Sequence, residues 1–370
     1  MRAADRFQSL DAVRGVCALM VVGFHLNAGG HLQRLFANGY VGVDFFFVLS
    51  GFIIASAYGR KVSTLRAVAA ACVKRFGRLY PLHAGALGAW LVFEIVATVV
   101  GAPGGGFHDK FSLESLGENI LLVQGFTTQQ ESWNYTAWSI SLELWLNVAY
   151  FLLVMAVGRF AAAMECLIAA ALTAVGVWGA ATLADSDPGP EPTVLISVAH
   201  YALGFFAGTL LFRAHGALQG RGWRPPVWLT FAVLGVGLAP FLLGDRIPDL
   251  GMIPIFSAVV LVFAFDVGPV ARVLAGRGWQ WIGTVSYSIY LIHPFFTIMT
   301  AQAIEGLGRA LGQPAVRHEE TGDLFILGGP WAMDLALLAC LAMVVGAASL
   351  TFRLIEDPAR RFFNGLARRI

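Results

Sequence analysis

The chain has 370 residues, 57% hydrophobic and 13% charged, with a net charge of +2 and a mean hydropathy of +0.70. A soluble domain carries about twice that share of charge, so an ordinary water-soluble protein is excluded, and the small net charge gives no footprint for nucleic acid. The four cysteines, Cys17, Cys72, Cys166 and Cys340, form no CxxC pair, so neither a disulfide framework nor a metal site is expected.

Apolar runs of spanning length recur at about 10–28, 40–57, 79–101, 137–157, 163–184, 193–212, 227–244, 250–267, 281–303 and 331–353. They predict an all-α polytopic membrane protein with about ten transmembrane helices. No internal repeat or low-complexity tract divides the chain, which reads as one membrane domain over 1–370. The first run carries Arg14 and His25 and lacks a small-residue cleavage site, so no cleavable signal peptide is expected. With the N-terminus placed inside, 20 of the 25 Lys and Arg fall on the inner side. Only Arg34, Lys110, Arg246, Arg309 and Arg317 fall outside. This bias places both termini in the cytoplasm. The outer loops hold the acidic stretches 185–192 and 318–323.

The first run, LDAVRGVCALMVVGFHL, holds two ionisable residues where a bilayer disfavours them. Eleven helical steps separate Arg14 from His25. That is roughly 16 Å along the axis and close to three turns, so both point to nearly one side. Asp11, three before Arg14, is its expected partner. The second run, GYVGVDFFFVLSGF, holds Asp44 near its outer start, either as an acid/base partner or as the mate of a buried cation. Phe45–Phe47 read as packing and lipid contact. Before the third run, VKRFGRLYPLH places Lys74 beside Arg75 and Arg78. The two arginines are one turn apart, a fork suited to phosphate, although loop arginines also anchor the inner face. Pro81 is expected in that helix's first turn.

The piece Ile120–Phe126 is too short to span and reads as a surface or re-entrant segment. Counting it as a span would invert every later loop. The fourth run begins YTAWSISLELW, where Ser139 and Glu143 share one helix face. Trp133, Tyr135 and Trp138 fit an interfacial aromatic belt. Late in the chain, His293 precedes Pro294. It reads either as a second polar wall or as the group that satisfies backbone freed by the proline, with the structural role weighted higher. Glu356 and Asp357 are expected to pair with inner arginines. His108, His200, His215 and His318 carry no pattern.

Together these residues place an anion clamp facing the cytoplasm and an acid/base cluster of His25, Asp44, Ser139 and Glu143 in the outer half of the membrane. The set resembles acyltransferase family 3, the integral-membrane bacterial O-acyltransferases. The matching pieces are LDAVRG with His25, GVDFFFVLSGF, RFGRLYP, WSISLE, SYSIYLIHP and IEDPARR, in family order over residues 10–361.

The resemblance implies transfer of an acyl group, usually acetyl from acetyl-CoA, to a hydroxyl of a carbohydrate in the bacterial cytoplasmic membrane. It implies ten core helices, His25 as the catalytic residue, and Arg14 in the same motif. Arg14, Arg75, Arg78 and Lys74 would bind the acyl-CoA donor, Arg75 and Arg78 at its phosphates, and Ser139 and Glu143 would serve the reaction centre. The donor it implies is acyl-CoA, with no tightly bound cofactor and no metal expected. No appended soluble periplasmic domain is expected. Two chemistries stay open: His25 as a general base oriented by Glu143 or Asp44, or an acetyl-His25 intermediate. A transporter or acyl relay using the same buried polar residues is the alternative class, against which stands the lack of an inverted repeat.

Overall fold

A computed structural model describes residues 7–59, 61–101, 105–127, 132–183, 190–242, 251–319 and 322–370. Arg2, Arg6, Arg60, Arg246 and the acidic run 185–189 lie outside them. Among the described residues the chain forms helices α1 (Gln8–Leu26), α2 (Gln33–Phe36), α3 (Gly42–Tyr58), α4 (Leu65–Val99), α5 (Leu113–Leu121), α6 (Ala137–Val157) and α7 (Ala161–Leu183). It continues with α8 (Pro190–Gly220), α9 (Val227–Leu242), α10 (Met252–Phe263), α11 (Gly268–Leu274), α12 (Arg277–Leu311), α13 (Pro330–Thr351) and α14 (Asp357–Ala367). One short hairpin, β1 (Val316–Glu319) with β2 (Gly322–Phe325), interrupts the helices.

Eight of these segments are long and apolar enough to cross a membrane, or nine if a bent pair counts as one span. They coincide with eight of the ten apolar runs, plus the run at 250–267. That run breaks, because α10 and α11 meet at 89° around Asp266, which sits at φ 49°. The remaining run, 227–244, forms the 16-residue α9 with Pro240 inside it. Sixteen residues rise only about 24 Å, short of a bilayer core of about 30 Å.

α4 begins earlier than expected. Thr64 caps it, its side chain accepting from Ala67 N at 3.2 Å, and the helix runs 35 residues. Pro81 therefore lies deep inside the helix rather than in its first turn. The segment around Ile120 is held between α4 and α6. Tyr80 Oη donates to the Ile120 carbonyl at 2.9 Å. Ser141 Oγ at 2.6 Å and Trp145 Nε1 at 2.8 Å both donate to the Leu122 carbonyl. These bonds dock the piece laterally against two spanning helices.

Two compact units form: residues 1–45 with 222–352, and residues 46–221 with 353–370. In the first unit, α1 packs chiefly against α12. The reason is legible in two glycines. A Cβ on Gly15 would lie 2.7 Å from Gly283 N, and one on Gly283 would collide with the Asp11 carbonyl. The backbones approach as closely as small-residue interfaces allow in membranes. Arg14 meets Ser286 and His25 meets His293, so the two helices run parallel. The N-terminus of α1 has no side-chain cap of its own. Asp266 supplies one from 257 residues away, its carboxylate accepting from Ser9 N at 2.8 Å and Gln8 N at 2.9 Å.

In the second unit, α7 packs on α8, α6 packs on α4, and α14 packs on α4. The buried carboxylate of Glu165 on α7 takes a two-pronged bond from Arg213 of α8, at 2.9 and 2.7 Å.

Candidate active site

In the first unit the expected Asp11–Arg14 pair is present at 3.2 Å. Arg14 also donates from Nε to Ser286 Oγ at 2.8 Å and from a terminal nitrogen to the Gly283 carbonyl at 2.7 Å. Its guanidinium thus ties the N-terminal half of α1 to α12. Burying that charge is tolerable because each bond is charge-assisted and several donors find acceptors.

His25 lies eleven residues on, half-buried. Its Nδ1 stands 2.9 Å from the Val21 carbonyl and 3.2 Å from His293 Nε2. The two rings sit 5.0 Å apart. His293 is fully buried, and its Nδ1 lies 2.7 Å from the Tyr290 carbonyl. The residue facing His25 in this unit is therefore a second histidine. The sequence signal that finds it is spacing: Ser286 and His293 are seven apart on α12, two turns on one face, and oppose Arg14 and His25 in turn. Asp44 is buried in the first turn of α3, where helix N-terminal N–H groups favour a carboxylate.

The β1–β2 hairpin is fastened just beyond His25. Asn27 Nδ2 donates to the Asp323 carbonyl at 2.8 Å, and Gly29 N to the Phe325 carbonyl at 2.8 Å. Nearby, the half-exposed His31 pairs with Asp334 at 2.9 Å, a His–carboxylate pair the sequence reading did not single out.

The second unit holds the other expected residues. Ser50 Oγ donates to Glu143 at 3.0 Å. Ser50 belongs to the same GVDFFFVLSGF motif as Asp44, and the sequence reading missed it. Glu143 lies on the face of α6 opposite Ser141 and Trp145, so the Leu122 segment braces its helix from behind. Ser139 is buried, and its Oγ donates to the Thr136 carbonyl at 3.1 Å, the backbone bond that a serine near a helix start commonly makes. Arg75 and Arg78 lie one turn apart on α4 beside Lys74. Arg75 is only 7% exposed, unlike a surface anchor. Among the described residues no three His, Cys, Asp or Glu side chains converge as a metal site would need.

Comparison with known proteins gives the family. A family model described as an acyltransferase domain matches residues 7–352. Acyltransferase MdmB of Streptomyces mycarofaciens is 24% identical over 390 aligned positions, covering 97% of this chain and 93% of that protein. Protein 2 in the picA locus of Rhizobium radiobacter is 36% identical over 158 residues, covering 40% of this chain and 81% of that protein. No solved structure matches the chain. With the family model spanning nearly the whole sequence and apolar helices filling it, the chain belongs to the acyltransferase 3 family and is a multi-pass membrane acyltransferase.

Proposed function

We propose that the protein is an O-acyltransferase that moves an acyl group, acetyl in the first instance, from cytoplasmic acyl-CoA to a hydroxyl of a glycan. It works in the bacterial cytoplasmic membrane, with both termini inside and residues 1–370 acting as one enzyme. The observation that carries the reading is the environment of His25 Nδ1. Carbonyl oxygens only accept, so the Val21 carbonyl at 2.9 Å calls for a proton on Nδ1. The basic lone pair is then on Nε2, the form a general base needs.

His25 Nε2 takes the proton of the acceptor hydroxyl as its oxygen forms a C–O bond to the thioester carbonyl carbon. The tetrahedral intermediate expels the CoA sulfur, breaking the C–S bond. The imidazolium returns its proton to the thiolate, leaving an O-acyl ester and free CoA. Arg75, Arg78 and Lys74 serve the CoA phosphates, for which planar guanidiniums one turn apart are suited. Arg14 fixes the helix that carries His25. One carboxylate, Glu143 (held by Ser50) or Asp44, serves to stabilise the imidazolium, and Ser139 helps to seat the acceptor hydroxyl.

Purified protein in detergent, given acetyl-CoA and candidate glycans, tests this. CoA release that requires the acceptor, with label on the glycan, supports it. Label trapped on the protein without acceptor would replace direct transfer by an acetyl-histidine route. No release with any acceptor would favour transport.

A further inference from the structure

We propose that Pro294 and His293 set the tautomer and orientation of His25, making His293 a positioning residue for the transfer. This rests on His25 acting as the base. Pro294 sits inside α12 and has no N–H. In an unbroken helix the N–H at position 294 would meet the carbonyl of Tyr290, four residues earlier, so the proline frees that carbonyl.

His293 takes the freed carbonyl. Its Nδ1 lies 2.7 Å from the Tyr290 oxygen, which can only accept, so Nδ1 of the neutral ring carries the proton. His293 Nε2 is then an acceptor, and it faces His25 Nδ1 at 3.2 Å. Nδ1 of His25 thus meets two acceptors, that nitrogen and the Val21 carbonyl, and both favour the Nδ1–H form. The backbone defect at the proline is passed through two rings to the reacting nitrogen. When His25 becomes an imidazolium, its Nδ1–H still has the His293 lone pair before it. The fully buried His293 ring stays in register because Thr297 Oγ1 bonds the His293 and Pro294 carbonyls at 3.1 and 3.2 Å. The structural role first expected of His293 and its role toward His25 are therefore carried by the two nitrogens of one ring.

Solid-state 15N spectra of histidine-labelled protein in bilayers, with His25 assigned by difference against His25→Ala, test the relay alongside kinetics. Wild type should show His25 protonated at Nδ1. His293→Leu should shift His25 toward the Nε2–H form and lower kcat on the order of 10- to 100-fold, with KM for acetyl-CoA within about twofold, because a wrong tautomer impairs the base more than donor binding. His293→Gln, which sets an amide oxygen near the former Nε2, should recover most of the rate. Pro294→Ala returns an N–H to the Tyr290 carbonyl and should produce part of the His293→Leu defect. An unchanged His25 spectrum with a normal rate in His293→Leu overturns the relay. So does a His293→Gln variant as slow as His293→Leu with the His25 tautomer intact, which would leave only a structural role. A full rate in His25→Ala would instead sink the general-base reading itself, whatever the spectra show.

Discussion

Arg14 shows how a costly charge becomes a fixed point. Its guanidinium meets Ser286 Oγ, the Gly283 carbonyl and Asp11. A lysine keeps the charge but lacks the planar fork that reaches two acceptors at once. Hydrogen bonds to charged groups are worth about 1.5–3 kcal/mol each, so Arg14→Lys should lower the Tm in detergent by several degrees and reduce activity. A thermal melt monitored by intrinsic fluorescence checks this, and an unchanged Tm contradicts it. Ser50 supplies the donor to Glu143. Ser50→Ala should lower kcat less than Glu143→Gln does, since the serine acts only through the carboxylate. At this scale the Asp11–Arg14 pair was legible because three residues on a helix must meet. The His25–His293 contact was not, because 268 residues separate the two rings and only packing of α1 on α12 brings them together.

At the scale of elements, the close approach of α1 and α12 rests on Gly15 and Gly283. Gly283→Val would drive a branched side chain into the backbone of α1 at Asp11 and separate the Arg14 and His25 contacts together. Loss of well-folded protein on size-exclusion chromatography is expected; a monodisperse, active variant would mean that the helices tolerate separation. Asp266→Ala removes the remote cap of α1, a change that costs typically about 1 kcal/mol at an N-terminus, and a small drop in Tm should follow. Most spanning helices were legible from apolar length alone. The exceptions have local causes. Thr64 starts α4 a full fourteen residues before its apolar run, because basic and small residues propagate a helix that tertiary packing supports. The run at 250–267 reads as continuous in hydropathy, but its chain turns by 89° near Asp266, the residue whose carboxylate also caps α1. The hairpin at β1 and β2 read only as an acidic loop, since its fastening to Asn27 and Gly29 is a long-range pairing.

For the whole molecule, the charge bias of the loops makes a sharp statement about sidedness. Lys110→Cys should react with a membrane-impermeant maleimide in intact cells, and Arg368→Cys only after permeabilisation. The reverse pattern would put the clamp at Arg75 and Arg78 on the side away from cytoplasmic acyl-CoA. The parallel packing of α1 and α12 fits the first and ninth of the ten apolar runs, between which lie seven crossings, an odd number.

The most direct measurement compares acceptor-dependent CoA release from acetyl-CoA by wild-type protein and by His25→Ala, at matched Tm. Loss of a general base should cost on the order of 10²–10⁴-fold, with donor binding retained. A His25→Ala enzyme that transfers acetyl at the wild-type rate would contradict the assignment of the chemistry to His25.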